Sequence, residues 1–138
     1  MRTVKEIMST DMVTVGLEDN VYEIAVKMKK HDIGFIPVVE GNKLIGVVTD
    51  RDLVLRGYAE KRSGSAAVKE VMSDEVTVIP PSMSFDEAAQ IMAKSQVRRL
   101  PVADNGELIG VVSLGDLAVR EKSQSEAGQA LSEISEDH

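Results

Sequence analysis

The feature that most constrains the fold is that the sequence repeats itself. Val4-Lys5-Glu6-Ile7-Met8-Ser9 recurs as Val68-Lys69-Glu70-Val71-Met72-Ser73, 64 positions on (68 − 4). Pro37 and Pro101 keep that offset, as do Gly46 and Gly110. Between Met8 and Val21 the residue types match best at 63 (76 − 13), Val13-Thr14-Val15 against Val76-Thr77-Val78, with a residue regained at Pro80-Pro81. A duplicated unit this small rarely buries its apolar face alone, so the two copies are expected to share a core. The 138 residues suit one compact domain or two small ones.

Each copy decodes alike. It opens on a helical turn, where Thr3 and Glu6 spell a capping box, and continues in a brief Val-Thr-Val strand. Asn20 with Glu23, and Ser84 with Glu87, pair a cap and an acid three apart and predict the start of each main helix. Val21, Ile24, Ala25 and Met28 follow i, i+3, i+4, i+7, as do Phe85, Ala88, Ala89 and Met92, giving each helix one apolar stripe. The methionines read as core filler. Strands from Ile33 to Glu40 and from Val97 to Asp104 turn at Gly41-Asn42 and at Asn105-Gly106, the second a type I′ hairpin signal. The returning strand is Leu-Ile-Gly-Val-Val, and a final helix follows. The repeats are placed at 4–62 and 68–122, with the linker at 63–67 inside the Gly- and Ser-rich stretch Gly57 to Ala67. From Ser123 to His138, Ala127, Ala130, Leu131 and Ile134 keep helical spacing, and this tail is expected to dock on the body or on a second subunit; fraying is the alternative.

The junction Gly46-Val47-Val48-Thr49-Asp50-Arg51-Asp52 carries the chemistry, and it recurs as Gly110-Val111-Val112-Ser113-Leu114-Gly115-Asp116. Thr49 and Ser113 stand where an N-cap should be, with Asp52 and Asp116 three residues later, at helix starts whose amides lack internal partners. Such a point attracts anions. Both pairs also satisfy a purely structural reading, a capped helix with an acid in its first turn, worth about 1 kcal/mol; the two roles are compatible.

Composition removes other classes. A net charge of −7 with 3% aromatic residues argues against a nucleic-acid surface. There are no cysteines, which excludes disulfides, thiolate nucleophiles and cysteine metal sites. No apolar run approaches the roughly 20 residues that span a bilayer, and the N-terminus lacks a signal-peptide core, so a soluble cytoplasmic protein is expected. His31 suits the C-terminus of its helix as a cation. Asp50 and Arg51 read as solvated. No nucleophile has a matching base and no metal cluster is spelled, so no catalytic or metal site is assigned.

Two units of this order, each with an apolar-Pro-Val strand, a hairpin and a Gly-x-x-(Ser/Thr)-x-x-Asp turn into a helix, resemble a pair of cystathionine β-synthase (CBS) domains, a Bateman module, from Val4 to Glu121. The resemblance implies an α+β fold of two β-α-β-β-α repeats related by a pseudo-twofold axis, packed sheet to sheet, with two clefts for adenosine-containing ligands. By position it implies that Thr49 and Ser113 contact phosphate, that Asp52 and Asp116 contact ribose hydroxyls, and that adenine lies near Thr14-Val15 and Thr77-Val78. Arg98 and Arg99, ahead of Leu100-Pro101, are implied as phosphate contacts reaching the other repeat, where Gly34-Phe35 has no counterpart charge. The cleft of Thr49 and Asp52 is then expected to be the better phosphate site and that of Ser113 and Asp116 the weaker; a structural salt bridge is the competing role for either arginine.

The function expected is a non-enzymatic regulatory module, homodimeric, needing no cofactor. It would sense AMP, ADP, ATP or S-adenosylmethionine and signal to an effector protein in trans, with no nucleic acid or membrane as partner. A structural or protein-interaction module without a nucleotide ligand is the alternative.

Overall fold

The structure, a computed structural model, describes residues 2–121. The expected tail helix from Ser123 lies outside them. The main helices form where their caps predicted. Asn20 accepts the Glu23 amide at 2.9 Å while Glu23 accepts the Asn20 amide at 3.1 Å, opening α1 (Val21–His31). Ser84 accepts the Glu87 amide at 3.2 Å and opens α3 (Phe85–Ser95). Ile24 and Met28, and Phe85, Ala88 and Met92, are buried as their spacing requires; Ala25 is exposed. The strands are β1 (Phe35–Glu40), β2 (Lys43–Thr49), β3 (Arg99–Asp104) and β4 (Glu107–Ser113). The helix after β2 is α2 (Asp50–Asp52), and that after β4 is α4 (Leu114–Glu121). The Asn105-Gly106 turn has positive φ at both residues, 54° and 82°, as a type I′ hairpin demands. Helices and antiparallel strands together make the fold α+β, as expected.

The chain forms two compact units that do not follow the sequence repeats. The Thr49 unit comprises Val13–Val76 with Gly106–Leu108; of the described residues the Ser113 unit comprises 2–12, Thr77–Asn105 and 109–121. Each repeat thus lends its opening segment to the unit built mainly from the other. In the Thr49 unit, Val68 and Val71 are fully buried beside Val15, Ile24, Ile36 and Val48. Ser73 and Val47 exchange amide bonds at 2.8 and 2.9 Å. In the Ser113 unit, Val4 is fully buried with Ile79, Leu100 and Val112, and Ser9 and Val111 exchange bonds at 2.8 and 3.0 Å. Each such side chain contributes about 1.5–3 kcal/mol by leaving water. This threading explains the glycine of the junction motif. A Cβ on Gly46 would lie 2.7 Å from the Ser73 carbonyl oxygen, and one on Gly110 would lie 2.6 Å from the Met8 sulfur. The lent segment passes over a residue that has no side chain.

Two local expectations are corrected. The Thr3/Glu6 spelling makes no side-chain cap, because the turn is a three-residue 3-10 turn (Val4–Glu6) and the extended Thr3 pairs with Ser84 instead. The slip to an offset of 63 is also absent. Val15 bridges Val38 in parallel and Ile79 bridges Val102, so Val15 matches Ile79 (79 − 15 = 64) and Thr14 matches Val78. Backbone pairing to the proline strands, Val15 N–H to Pro37 O and Ile79 N–H to Pro101 O at 3.1 Å each, sets the register in place of the Val-Thr-Val likeness.

Candidate functional site

In both junctions the strand ends in a hydroxyl and the helix begins under it as a full capping box. Asp52 N–H donates to Thr49 Oγ1 at 3.1 Å, and Thr49 N–H donates to Asp52 Oδ2 at 2.9 Å. The matching bonds in the Ser113 unit are Asp116 N–H to Ser113 Oγ at 3.0 Å and Ser113 N–H to Asp116 Oδ2 at 3.2 Å. All four residues are half-buried. The structural reading therefore holds, and it leaves chemistry to spare. Each hydroxyl accepts through its oxygen and still has a proton to donate, and each carboxylate spends one oxygen on the cap. The other oxygen, Oδ1, can accept from two neighbouring hydroxyls.

The surroundings differ. Asp52 Oδ1 lies 3.9 Å from Arg56 Nε, and the same guanidinium donates to the Met72 carbonyl at 2.8 Å. Arg62 bonds the Arg56 carbonyl at 3.0 Å and pairs with Glu70 at 3.1 Å. These two arginines fasten the helix after Thr49 to the lent segment. Sequence reasoning missed both; their spacing from Asp52 was a helical i, i+4 signal only for Arg56. Asp50, read as solvated, is exposed, and its Oδ1 accepts the Arg51 amide at 2.8 Å. The amide end of that helix, expected to draw an anion, already holds the chain's own carboxylate.

Arg98 and Arg99 are exposed in the Ser113 unit, and the Arg98 carbonyl accepts the Leu114 amide at 2.8 Å, which sets residue 98 beside the Ser113 junction. Among the described residues the ion pairs are Arg56–Asp52 and Arg62–Glu70, so neither of these two arginines is in a described salt bridge. Thr77 and Val78 are exposed, Val78 at 41%. Val15 is buried, and Thr14 lines a hollow of about 300 Å³ with Val15, Gly16, Glu18, Lys27 and Glu40. Lys27 Nζ donates to the Thr14 carbonyl at 3.1 Å. This hollow is at the hairpin end of β1, whereas Thr49 pairs with Phe35 at its other end, so Thr14 and Val15 share it with charged side chains and not with Thr49 or Asp52. His31 closes α1 behind Lys29 and Lys30, where a cation meets the helix C-terminus. Among the described residues no group of three or more His, Asp or Glu is placed to hold a metal, and no helix is long and apolar enough to cross a membrane.

Two copies of one strand-cap-helix junction, each with a lent opening segment, define a recognisable class. The CBS domain model matches residues 4–57 and 68–121, and the chain belongs to that family. It is 47% identical over 135 residues to the CBS domain-containing protein YhcV of Bacillus subtilis (strain 168), covering 98% of this chain and 96% of that protein. The structure of Hypoxic Response Protein I with two coordinated zinc ions is similar with a TM-score of 0.80 at 32% identity, over 87% of this chain and 99% of that one. CBSX2, solved in complex with AMP, is similar with a TM-score of 0.77 at 28% identity, over 90% and 98%.

Proposed function

We propose that the protein is a non-enzymatic regulatory module that binds an adenosine-containing small molecule at its two strand-to-helix junctions. Asp52 and Asp116 hold the ribose hydroxyls, Thr49 and Ser113 donate to the ligand, and Arg98 and Arg99 attract phosphate. Thr77 and Val78, both exposed, flank the adenine at the Ser113 junction, while Thr14 and Val15 border a separate hollow and are not assigned to the ligand of the Thr49 junction. The observation that carries this reading is the pair of capping boxes, each leaving a hydroxyl proton and one carboxylate oxygen outside the cap, that of Asp116 without a described partner and that of Asp52 3.9 Å from Arg56, in a family with an AMP-bound relative. A carboxylate accepting from two vicinal hydroxyls makes charge-assisted bonds, which are the stronger kind.

Thermal shift with AMP, ADP, ATP and S-adenosylmethionine tests it. Ligand at a hundredfold over its Kd stabilises by about 2.7 kcal/mol, several degrees in Tm for a chain of this size. A flat response to all four favours an interaction module without nucleotide.

The module works in the cytoplasm as a homodimer and signals to an effector protein in trans. Supporting the dimer, Tyr22 and Val26 on α1 and Val54, Leu55 and Tyr58 beyond α2 are large apolar residues left exposed, Tyr58 at 85%. Analytical ultracentrifugation that finds only monomer at micromolar concentration removes it.

A further inference from the structure

The Thr49 and Ser113 junctions share a backbone and differ in charge. In each, the first helical amide donates to the carbonyl of the residue that precedes the proline strand: Asp50 to Gly34 at 3.0 Å, and Leu114 to Arg98 at 2.8 Å. Positions 34 and 50 of one unit therefore stand where 98 and 114 stand in the other. One junction pairs a glycine with an aspartate at these positions; the other pairs an arginine with a leucine.

The two differences are coupled. A Cβ on Gly34 would lie 2.7 Å from Asp50 Oδ2, so the carboxylate, on an exposed side chain, stands over residue 34 and would have to turn aside for a larger residue there. Its other oxygen accepts the Arg51 amide at 2.8 Å. A helix amide in the first turn is where a bound phosphate finds its donor. The Thr49 junction fills that place itself. In the Ser113 junction Leu114 has no acceptor to offer the Gly115 amide, and Arg98 with Arg99 adds two exposed positive charges.

We infer that the two junctions select different adenosine compounds. The Ser113 junction takes a nucleotide with its phosphate. The Thr49 junction takes an adenosine group without one, uncharged or carrying a positive sulfonium, because Asp50 is bonded one residue from the Thr49 hydroxyl and repels a phosphate brought to it. This rests on the reading that both junctions hold adenosine ligands, and it reverses the ranking the sequence alone suggested.

Two-dimensional proton–nitrogen spectra of the full chain, titrated separately with adenosine and with AMP, test it through the amides of 49–52 and 113–116. AMP should move the Ser113 amides at about tenfold lower concentration than the Thr49 amides, and the Thr49 amides should prefer adenosine. Asp50→Asn keeps an acceptor for the Arg51 amide and removes the charge. It should tighten AMP at the Thr49 junction about tenfold and leave the Ser113 junction unmoved. Equal AMP affinity at both junctions, or an Asp50→Asn variant with unchanged AMP binding, overturns the selectivity and leaves the adenosine reading standing. Spectra that respond to neither compound overturn that reading and the selectivity with it.

Discussion

The helix after Thr49 and the helix after Ser113 start from the same capping box and then diverge. After Ser113 the chain runs as regular α-helix through Glu121. After Asp52 it widens into a π-helical turn (Leu53–Gly57), tightens into a 3-10 turn (Tyr58–Glu60) and stops at Lys61 with φ 59°. Turns of the π type are uncommon and concentrate where a chain answers a second demand. Here that demand is visible: Arg56 and Arg62 must reach Met72 and Glu70 on the lent segment, after a link that returns to the same unit. Both copies keep the capped start of the helix, and the remainder follows the connection each has to serve.

The largest expected effect separates the two glycines. Gly46→Ala drives a Cβ into a backbone carbonyl and should destabilise by about 1–3 kcal/mol, whereas Gly110→Ala meets the flexible Met8 side chain and should cost about 1 kcal/mol or less. Urea unfolding of the two variants measures this; a Gly46→Ala variant as stable as the parent would mean that the Ser73 carbonyl does not press on residue 46. Transplanting one junction's charges into the other should come next. Gly34→Arg with Asp50→Leu should raise AMP affinity at the Thr49 junction about tenfold in calorimetry, and no gain would detach the charge difference from selectivity. Asp52→Ala and Asp116→Ala should each cost about 1 kcal/mol through the lost cap and abolish adenosine binding at its own junction alone. A loss of stability with binding intact would leave the carboxylates as caps only. The smallest effect belongs to Arg56→Ala. Its side chain is 51% exposed, so the ion pair contributes no more than about 1 kcal/mol, and the signature should be local, faster hydrogen exchange at Met72 and Ser73.

Much of this was legible in the residues themselves, for a physical reason. Caps, amphipathic stripes and the Asn105-Gly106 turn are local: their partners lie within four residues, and among the described residues three of the five spelled boxes bond reciprocally while a fourth, that of Ser84, caps through its hydroxyl alone. What the sequence concealed is non-local. Nothing in Val68-Lys69-Glu70-Val71 says which unit's core will receive its valines, because both copies offer equivalent apolar surfaces. The offset between Val13 and Val78 was misread for a related reason. Identity of side chains suggested 63, but backbone bonds to Pro37 and Pro101 fix 64, and those bonds are blind to residue type. Asp50 reads as solvated and is exposed, an ordinary acid after a cap; only the space above Gly34 shows which neighbour its carboxylate stands over.

A crystal grown with AMP tests the central claim most directly. The account predicts the ribose hydroxyls on Asp116 Oδ1 with the phosphate against Ser113 and Arg98, and no phosphate at Thr49. A phosphate seated on Thr49 beside Asp50, or a ribose turned away from both carboxylates, would contradict it.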